Sequence, residues 1–180
     1  MRRETMKYGV FYGSTTGNTE AVAESIAEQL SKEGVLLREV SVATVEEFQS
    51  VEVLLCGAST WDIGELQADW EEFLPKLREV DLTGKAVGLF GMGDAIGYPY
   101  NYLDCLGEIW ETLSTTGARL VGRWPTEGYT FDESRAEIEP GWFVGLGLDD
   151  DNEYELTEER VKKWLAQVLS ELSESEVAST

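Results

Sequence analysis

The sequence predicts an α/β domain in which a doubly wound parallel sheet carries helices on both faces. Short apolar runs alternate with amphipathic stretches along most of the chain, which is typical of repeated strand–helix–strand units. Polar, glycine-containing segments directly follow three of the apolar runs, as loops at the carboxyl edge of a parallel sheet do. The length of 180 residues suits one such domain.

Apolar runs predict five strands, at residues 7–12, 36–42, 51–58 and 85–90 and from 119 onward. The second run is rather polar, which indicates an edge strand. The fifth is interrupted, because residues 122–141 are polar and a strand-like run resumes over residues 142–148. A loop of about 20 residues is long for a compact domain. We therefore predict a fifth strand that is split by an insertion at about 122–141.

Apolar residues at helical spacing predict the helices between these strands. The residues that mark them are Val22, Ile26 and Leu30, then Trp70, Phe73, Leu74 and Leu77, then Leu103, Leu106, Ile109, Trp110 and Leu113, and finally Val161, Trp164, Leu165, Val168, Leu169 and Leu172. Thr157 is the predicted N-cap of the last helix. We predict one domain over residues 6–172, followed by a frayed acidic tail over 173–180.

The composition excludes several function classes. Lys and Arg number 14 against 35 Asp and Glu, a formal net charge of −21, which disfavours nucleic acid and anionic membranes and favours basic protein partners. The alternative is that the acidity serves solubility or a saline habitat. The chain has no histidine, so Ser-His-Asp and Cys-His catalysis are excluded, and Cys56 and Cys105 have no metal-ligand spacing. No apolar stretch approaches the roughly 20 residues of a membrane span, so we expect no membrane insertion and a cytoplasmic protein.

The first predicted strand ends in a hydroxyl-rich loop, Gly13-Ser14-Thr15-Thr16-Gly17-Asn18-Thr19, directly before a helix. Such a turn presents N–H and O–H donors to a phosphate at a helix N-terminus. The loop contains no lysine and is neither GxGxxG nor GxxxxGK[ST], which argues against a nucleoside triphosphate. The alternative is a well-capped helix after a turn.

Aromatic residues mark the loops after the third and fourth predicted strands. Trp61 lies in residues 59–65, and Tyr98 lies in the glycine-rich residues 91–102. At the carboxyl edge of a parallel sheet these rings can stack on a flat ligand. The alternatives are an aromatic residue that covers a strand end and a glycine-rich turn with exposed aromatics. Together, the three loops favour a ligand with one phosphate and one flat ring system.

Over residues 7 to about 172, the sequence resembles the flavodoxin family. Three motifs carry the resemblance: residues 14–20 (STTGNTE), 60–67 (TWDIGELQ) and 93–98 (GDAIGY). The split fifth strand resembles the long-chain subgroup, and so do residues 126–129 and 145–149. The resemblance implies a flavodoxin-like five-stranded parallel sheet of order 2-1-3-4-5, with the insertion in strand five.

The resemblance implies FMN as the cofactor and assigns roles to residues of the three loops. Residues 14–19 would bind the phosphate, Trp61 and Tyr98 would pack on the two ring faces, and the backbone around residues 62–63 would accept a hydrogen bond from flavin N5. The candidate cofactor-binding residues are Ser14, Thr15, Thr16, Gly17, Asn18, Thr19, Ser59, Thr60, Trp61, Asp62, Ile63, Gly64, Met92, Gly93, Asp94, Tyr98, Asn101, Tyr102 and Asp151. Among these, Met92, Gly93 and Asp94 would line the pyrimidine side of the ring. Asn101, Tyr102 and Asp151 would lie near the ribityl chain or the ring edge.

The implied function is a low-potential one-electron carrier, a monomer without a substrate of its own. Its partners would be redox proteins with basic docking surfaces, with ferredoxin–NADP reductase, photosystem I, pyruvate oxidoreductase and nitrogenase reductase as the family's candidates. The alternative is a flavodoxin-fold NAD(P)H or quinone reductase, which needs a substrate cavity over one flavin face that two stacked aromatics would block. A flavin-free signalling receiver would need acidic residues where residues 12–14 and 57–59 stand, and these carry none.

Overall fold

The computed structural model describes residues 6–31 and 34–178. The strands of its main sheet are β1 (Tyr8–Tyr12), β2 (Val35–Glu39), β3 (Val53–Trp61), β4 (Glu65–Leu66), β5 (Ala86–Met92), β6 (Arg119–Val121) and β10 (Leu146–Leu148). Within the described residues this sheet is parallel, in the order β2-β1-β3-β5 followed by β6 and β10, and only the short β4 pairs antiparallel. Strand β2 lies at the edge, which confirms the prediction from its polar sequence.

The fifth position of the sheet is filled by two separate strands. Strand β6 pairs with residues 86–88 of β5, and β10 pairs with residues 90–92 of the same strand. Both pairings are parallel, so the predicted split strand and the order 2-1-3-4-5 are confirmed. The split places the start and the end of the insertion beside one another on β5.

Helices cover both faces of the sheet and enclose two apolar cores. The helices are α1 (Asn18–Gln29), α2 (Val45–Ser50), α3 (Ala68–Phe73), α4 (Asp104–Leu113) and α5 (Thr157–Ala178). Helices α1 and α5 pack on one face around Ile26 and Trp164, while α2, α3 and α4 pack on the other around Phe48, Trp70 and Ile109. Strands β1 and β5 are buried along their whole length, as expected for a sheet covered on both faces. None of the helices in the described part of the chain is both long and apolar enough to cross a membrane.

The insertion is not a plain loop. It holds a second, antiparallel sheet of order β7-β9-β8, formed by β7 (Trp124–Pro125), β8 (Glu137–Glu139) and β9 (Trp142–Phe143). The sequence predicts a strand-like run from Trp142 to Leu148, but Trp142 and Phe143 belong to this small sheet and the main sheet resumes only at Leu146. Strands of two or three residues are too short to show a periodic pattern, and their pairing is set by tertiary contacts.

Helix α5 is longer than the sequence predicts. It continues through Ala178, so residues 173–178 are helical where a frayed tail is predicted, and residues 179–180 lie outside the described residues. Thr157 is not an N-cap but the first helical residue, because a 3₁₀ turn over Tyr154–Leu156 leads directly into α5. The domain boundary at residue 172 stays a prediction.

Candidate functional site

The hydroxyl-rich loop joins β1 to α1 at the carboxyl edge of the sheet. Gly17 stands at the N-cap of α1 with φ of 93°, a left-handed conformation that suits glycine, and no side chain caps the helix there. The Gly17 N–H donates to Ser14 Oγ over 3.0 Å, which folds the loop back on itself. The first N–H groups of α1 are therefore left open to an anion at the positive end of the helix.

The side chain of Gln67 packs against this loop and stabilises it, a role that the sequence does not reveal. It is 2% exposed, and its Nε2 donates to Thr15 Oγ1 over 3.4 Å. Its Oε1 accepts from the N–H groups of Asp69 and Trp70, which caps α3. A Cβ on Gly13 would lie 2.1 Å from Gln67 Oε1, so only glycine fits where the loop leaves β1. Gln67 thus fixes the hydroxyl-rich loop against α3.

Residues 62–64 form a three-residue hairpin loop between β3 and β4. Strand β3 extends through Trp61, beyond the predicted end at residue 58, because Thr60 and Trp61 pair with Leu66 and Glu65. Asp62 has φ of 42° and Gly64 has φ of 79°, so two of its three residues are left-handed. The Nε1 atom of Trp61 is buried and has no hydrogen-bond partner within the described residues.

The loop after β5 is organised by Asp94. Its carboxylate accepts from the N–H groups of Gly97 and Ile96 over 2.7 and 3.1 Å and from Asn152 Nδ2 over 2.9 Å. The bond from Gly97 is the main cause that lowers the pKa of Asp94, with Asn152 and Ile96 adding to it, so the group is ionised at neutral pH. Tyr98 follows in the same loop with 40% of its surface exposed.

Acidic residues after β10 form a further wall of the site. Asp149 is buried and accepts from the Ala95 N–H over 3.0 Å, which ties this segment to the loop after β5. The pKa of Asp151 is raised, first by desolvation and then by the nearby charges of Asp94, Asp149 and Asp150. Asp94, Asp150 and Asp151 line the same cleft, so several carboxylates lie close together. The sequence indicates Asp149, Asp150 and Asp151 as lying near the ligand, and of these only Asp151 is among the candidate cofactor-binding residues.

The three loops and the acidic wall enclose one open cleft at the carboxyl edge of the sheet. Its lining residues are Thr16, Asn18, Thr19, Ser59, Thr60, Trp61, Asp62, Met92, Gly93, Asp94, Tyr98, Asp150 and Asp151. All of them except Asp150 are among the candidate cofactor-binding residues predicted from the sequence. No lysine or arginine is among the described residues that line it.

The remaining predicted residues do not line this cleft. They are Ser14, Thr15, Gly17, Ile63, Gly64, Asn101 and Tyr102. Tyr102 is buried among the rings of Tyr129, Phe131 and Phe143, and a Cβ on Gly93 would lie 2.9 Å from its Cδ2 atom. Tyr102 therefore packs in the core behind Gly93, because the aromatic side chains of the insertion offer it an apolar surface. The resemblance, in contrast, implies a position near the ribityl chain or the ring edge.

The donors and surfaces in this cleft fit one phosphate and one flat aromatic ligand. The open N-terminus of α1 and the hydroxyls of Thr16 and Thr19 supply donors for an anion. Trp61 and Tyr98 supply aromatic surface, and the unpartnered Nε1 of Trp61 adds an unused donor.

The flavodoxin family profile matches residues 10–164, which is most of the chain. The chain belongs to the flavodoxin family. It is 44% identical over 170 residues to a flavodoxin of Haemophilus influenzae, covering 94% of this chain and 98% of the relative. It is 47% identical over 163 residues to a flavodoxin of Synechocystis, covering 90% and 95%. The crystal structure of a flavodoxin mutant of Fusobacterium nucleatum bound to flavin mononucleotide superposes with a TM-score of 0.87, at 31% identity and with 93% and 97% of the two chains covered.

Proposed function

We propose that the chain binds one FMN in this cleft and carries electrons, one at a time, between redox proteins. The observation that supports it most directly is that an open helix N-terminus, two aromatic side chains and several carboxylates line a single cleft. FMN supplies the redox chemistry when bound, since its ring system takes up and releases single electrons. The protein supplies binding, orientation and the local field.

The proposed binding roles follow the loops. Residues 14–19 hold the phosphate, with the backbone of α1 and the hydroxyls of Thr16 and Thr19 as donors. Trp61 and Tyr98 pack against the ring faces, and the peptide at residues 62–63 accepts from N5. Residues 92–94 contact the pyrimidine side, while Asn101 and Asp151 lie nearer the edge. A reductase would need an open ring face for its substrate, so two aromatic side chains in the cleft favour a carrier.

Replacing Tyr98 by alanine is expected to weaken FMN binding by roughly 1–3 kcal/mol, because a stacked aromatic partner and its buried area are lost. This loss corresponds to a dissociation constant that rises about 5- to 150-fold. Titration of the apoprotein with FMN, followed by quenching of flavin fluorescence, measures it. Mass analysis of the cofactor released from the wild type should identify FMN at one per chain.

Tyr100→Ala is the matched control, because Tyr100 is in the same loop, is 62% exposed and does not line the cleft. Its dissociation constant should stay within about twofold of the wild type. An unchanged affinity in Tyr98→Ala would contradict the assignment of the ring face. Release of FAD or a nucleotide from the wild type would contradict the proposed cofactor.

The proposed partners are redox proteins with basic docking surfaces, and the carrier is a cytoplasmic monomer. Ile63, Ile96 and Tyr100 are exposed on the two loops that flank the cleft, among carboxylates of a chain whose net charge is −21. Exposed apolar groups with an acidic surround fit a transient docking face. Ferredoxin–NADP reductase, photosystem I, pyruvate oxidoreductase and nitrogenase reductase stay the candidates.

The rate of electron exchange with ferredoxin–NADP reductase is expected to fall strongly as salt is raised. The Debye length shrinks from roughly 30 Å at 0.01 M to roughly 3 Å at 1 M, which removes the attraction that steers the encounter. Stopped-flow rates across this range measure it, and an uncharged small-molecule reductant serves as the control. A rate independent of salt would contradict electrostatic docking.

A further inference from the structure

A short segment of the insertion is fastened to the start of α4 and to the loop after β5. The N–H groups of Asp132 and Glu133 donate to the Pro99 carbonyl over 2.8 and 3.0 Å. The Ser134 hydroxyl donates to the Tyr102 carbonyl. The Arg135 N–H donates to Asp104 Oδ1 over 2.8 Å. Four successive residues of the insertion, 132–135, therefore hold the chain between residues 99 and 104.

Asp104 is the side chain at the centre of this attachment. It is only 4% exposed and forms no ion pair within the described residues. One carboxylate oxygen accepts from the Arg135 N–H, and the other accepts from Asn101 Nδ2 over 3.1 Å. A buried carboxylate needs such donors, because removing its water without them is costly. Its position is thus fixed on one side by the insertion and on the other by Asn101.

The same carboxylate lies against the hairpin loop of residues 62–64. A Cβ on Gly64 would lie 2.6 Å from Asp104 Oδ2 and 3.0 Å from Asn101 Nδ2, so the Gly64 backbone packs directly on this pair. The next residue, Cys105, donates its N–H to Thr60 Oγ1 over 3.2 Å, on the strand that leads into the hairpin. The start of α4 therefore connects the insertion to the hairpin.

Backbone strain is concentrated at the two ends of this connection. Asp62 in the hairpin has φ of 42°, and Leu103, directly before Asp104, has φ of 60°. They are the only residues other than glycine with positive φ in residues 6–31 and 34–178. Such conformations persist where the surrounding contacts determine them. Asp104 directly follows Leu103, and together with Asn101 it lies against Gly64, two residues after Asp62.

We propose that Asp104 is a positioning residue. It connects the insertion to the hairpin loop of residues 62–64, fixes the position of that loop, and thereby sets the stability of the one-electron-reduced flavin. The inference rests on the proposed function, in which the peptide at residues 62–63 accepts a hydrogen bond from N5. The first reduction step adds one electron from a redox partner and one proton from solvent, and the proton on N5 becomes the donor of that bond. Contacts that fix the end of the hairpin at Gly64 keep the peptide at residues 62–63 within reach of this donor.

The test is the midpoint potential of the first step in Asp104→Asn, loaded with FMN. We call Asp104, Asn101 and residues 132–135 the clamp. An asparagine at position 104 has one acceptor oxygen in place of two, so the Arg135 N–H and Asn101 Nδ2 can no longer donate to separate oxygens and the clamp loosens. We expect the equilibrium constant of the first step to fall about tenfold, which is about 59 mV to the negative for one electron. A role through charge alone gives the opposite sign or no change, since losing a negative charge never disfavours uptake of an electron.

Two further variants keep the test decisive if Asp104→Asn does not fold. Asn101→Ala and Ser134→Ala remove the other hydrogen bonds of the clamp, and both should shift the first potential negative. Ser134 does not line the cleft, so Ser134→Ala should do this while FMN affinity stays within about threefold. Asp81→Asn is the control for charge, because Asp81 is an exposed carboxylate that only caps the turn at Thr83. Its first potential should match that of the wild type.

The outcomes separate this inference from the proposed function. A wild type that binds no FMN or forms no one-electron state would overturn the proposed function. A wild type that does both, with first potentials of the clamp variants unchanged or shifted positive, would overturn the positioning role alone. Effects of Asn101→Ala and Asp104→Asn that are less than additive in the double variant would support one shared clamp.

Discussion

Replacing Trp70 by alanine is expected to lower the free energy of unfolding by about 3–5 kcal/mol. Trp70 is fully buried beneath the hydroxyl-rich loop, with the rings of Phe48 and Phe73 against it. Its Nε1 donates to the Gly57 carbonyl over 2.8 Å, and the same carbonyl accepts from the Gly13 N–H over 3.1 Å. The variant therefore leaves a large cavity and loosens the point where the loop leaves the sheet. Urea unfolding of the apoprotein measures the loss.

Trp70→Phe separates the two contributions, because phenylalanine fills much of the cavity but cannot donate the hydrogen bond. It should lose about 1–3 kcal/mol, the cost of one lost buried hydrogen bond together with a modest volume change, while the Gly57 carbonyl keeps its bond from the Gly13 N–H. Trp142→Ala is the exposed control, expected to change stability by less than about 1 kcal/mol. A loss below about 1 kcal/mol in Trp70→Ala would mean that the loop is not supported from this side.

Replacing Gly107 by alanine is expected to destabilise the protein by about 1–3 kcal/mol, although alanine is the better helix former. Gly107 lies within α4, where alanine by itself would gain up to about 1 kcal/mol. A Cβ at Gly107 would, however, lie 2.4 Å from the Arg135 carbonyl oxygen and 2.6 Å from its carbon, which are backbone atoms that cannot rotate away. The clash outweighs the gain and pushes the insertion off α4. Chemical denaturation measures the net effect.

Thr112→Ala is the control for helix propensity, since it also replaces a poorer helix former by alanine in α4. It should leave stability unchanged or raise it by a few tenths of a kcal/mol. A Gly107→Ala variant that is more stable than the wild type would show that the insertion shifts without cost. In that case the attachment of the insertion to α4 would be too weak to position the hairpin loop of residues 62–64.

The features that sequence reasoning predicts well are those encoded locally. The main strands appear as apolar runs because both faces of the sheet are covered, and the three loops that line the cleft follow directly from where those runs end. Trp61 and Tyr98 stand out because large aromatics are unusual beside glycine at strand ends. These features can be recognised from the local sequence, without knowing which distant residues are in contact in the fold.

The features that sequence reasoning misses depend on distant contacts. Gln67 and Asp104 look like ordinary polar residues at helix starts, yet each is buried because a loop far away in the chain covers it. Tyr102 looks like a ligand residue beside a glycine-rich loop, yet the aromatic side chains of the insertion draw it into the core. The small sheet of the insertion has strands too short for any periodic pattern. Burial, which decides all of these cases, is a property of the whole fold.

The charges in the cleft predict how the two reduction steps of bound FMN are spaced. The first step takes up a proton and leaves the net charge unchanged, whereas the second adds a negative charge beside Asp62, Asp94, Asp150 and Asp151. One carboxylate about 10 Å away in water costs roughly 0.4 kcal/mol, so several together cost roughly 1–2 kcal/mol. For one electron, about 1.4 kcal/mol is roughly 59 mV, so this field lowers the second potential by on the order of 100 mV.

Absorption spectroscopy during stepwise anaerobic reduction of the FMN-loaded protein tests whether the chain is a one-electron carrier. We expect the one-electron-reduced flavin to accumulate first, and the second electron to enter only at a potential lower by on the order of 100 mV or more. A direct passage from the oxidised to the fully reduced spectrum, with no intermediate species, would contradict a one-electron carrier.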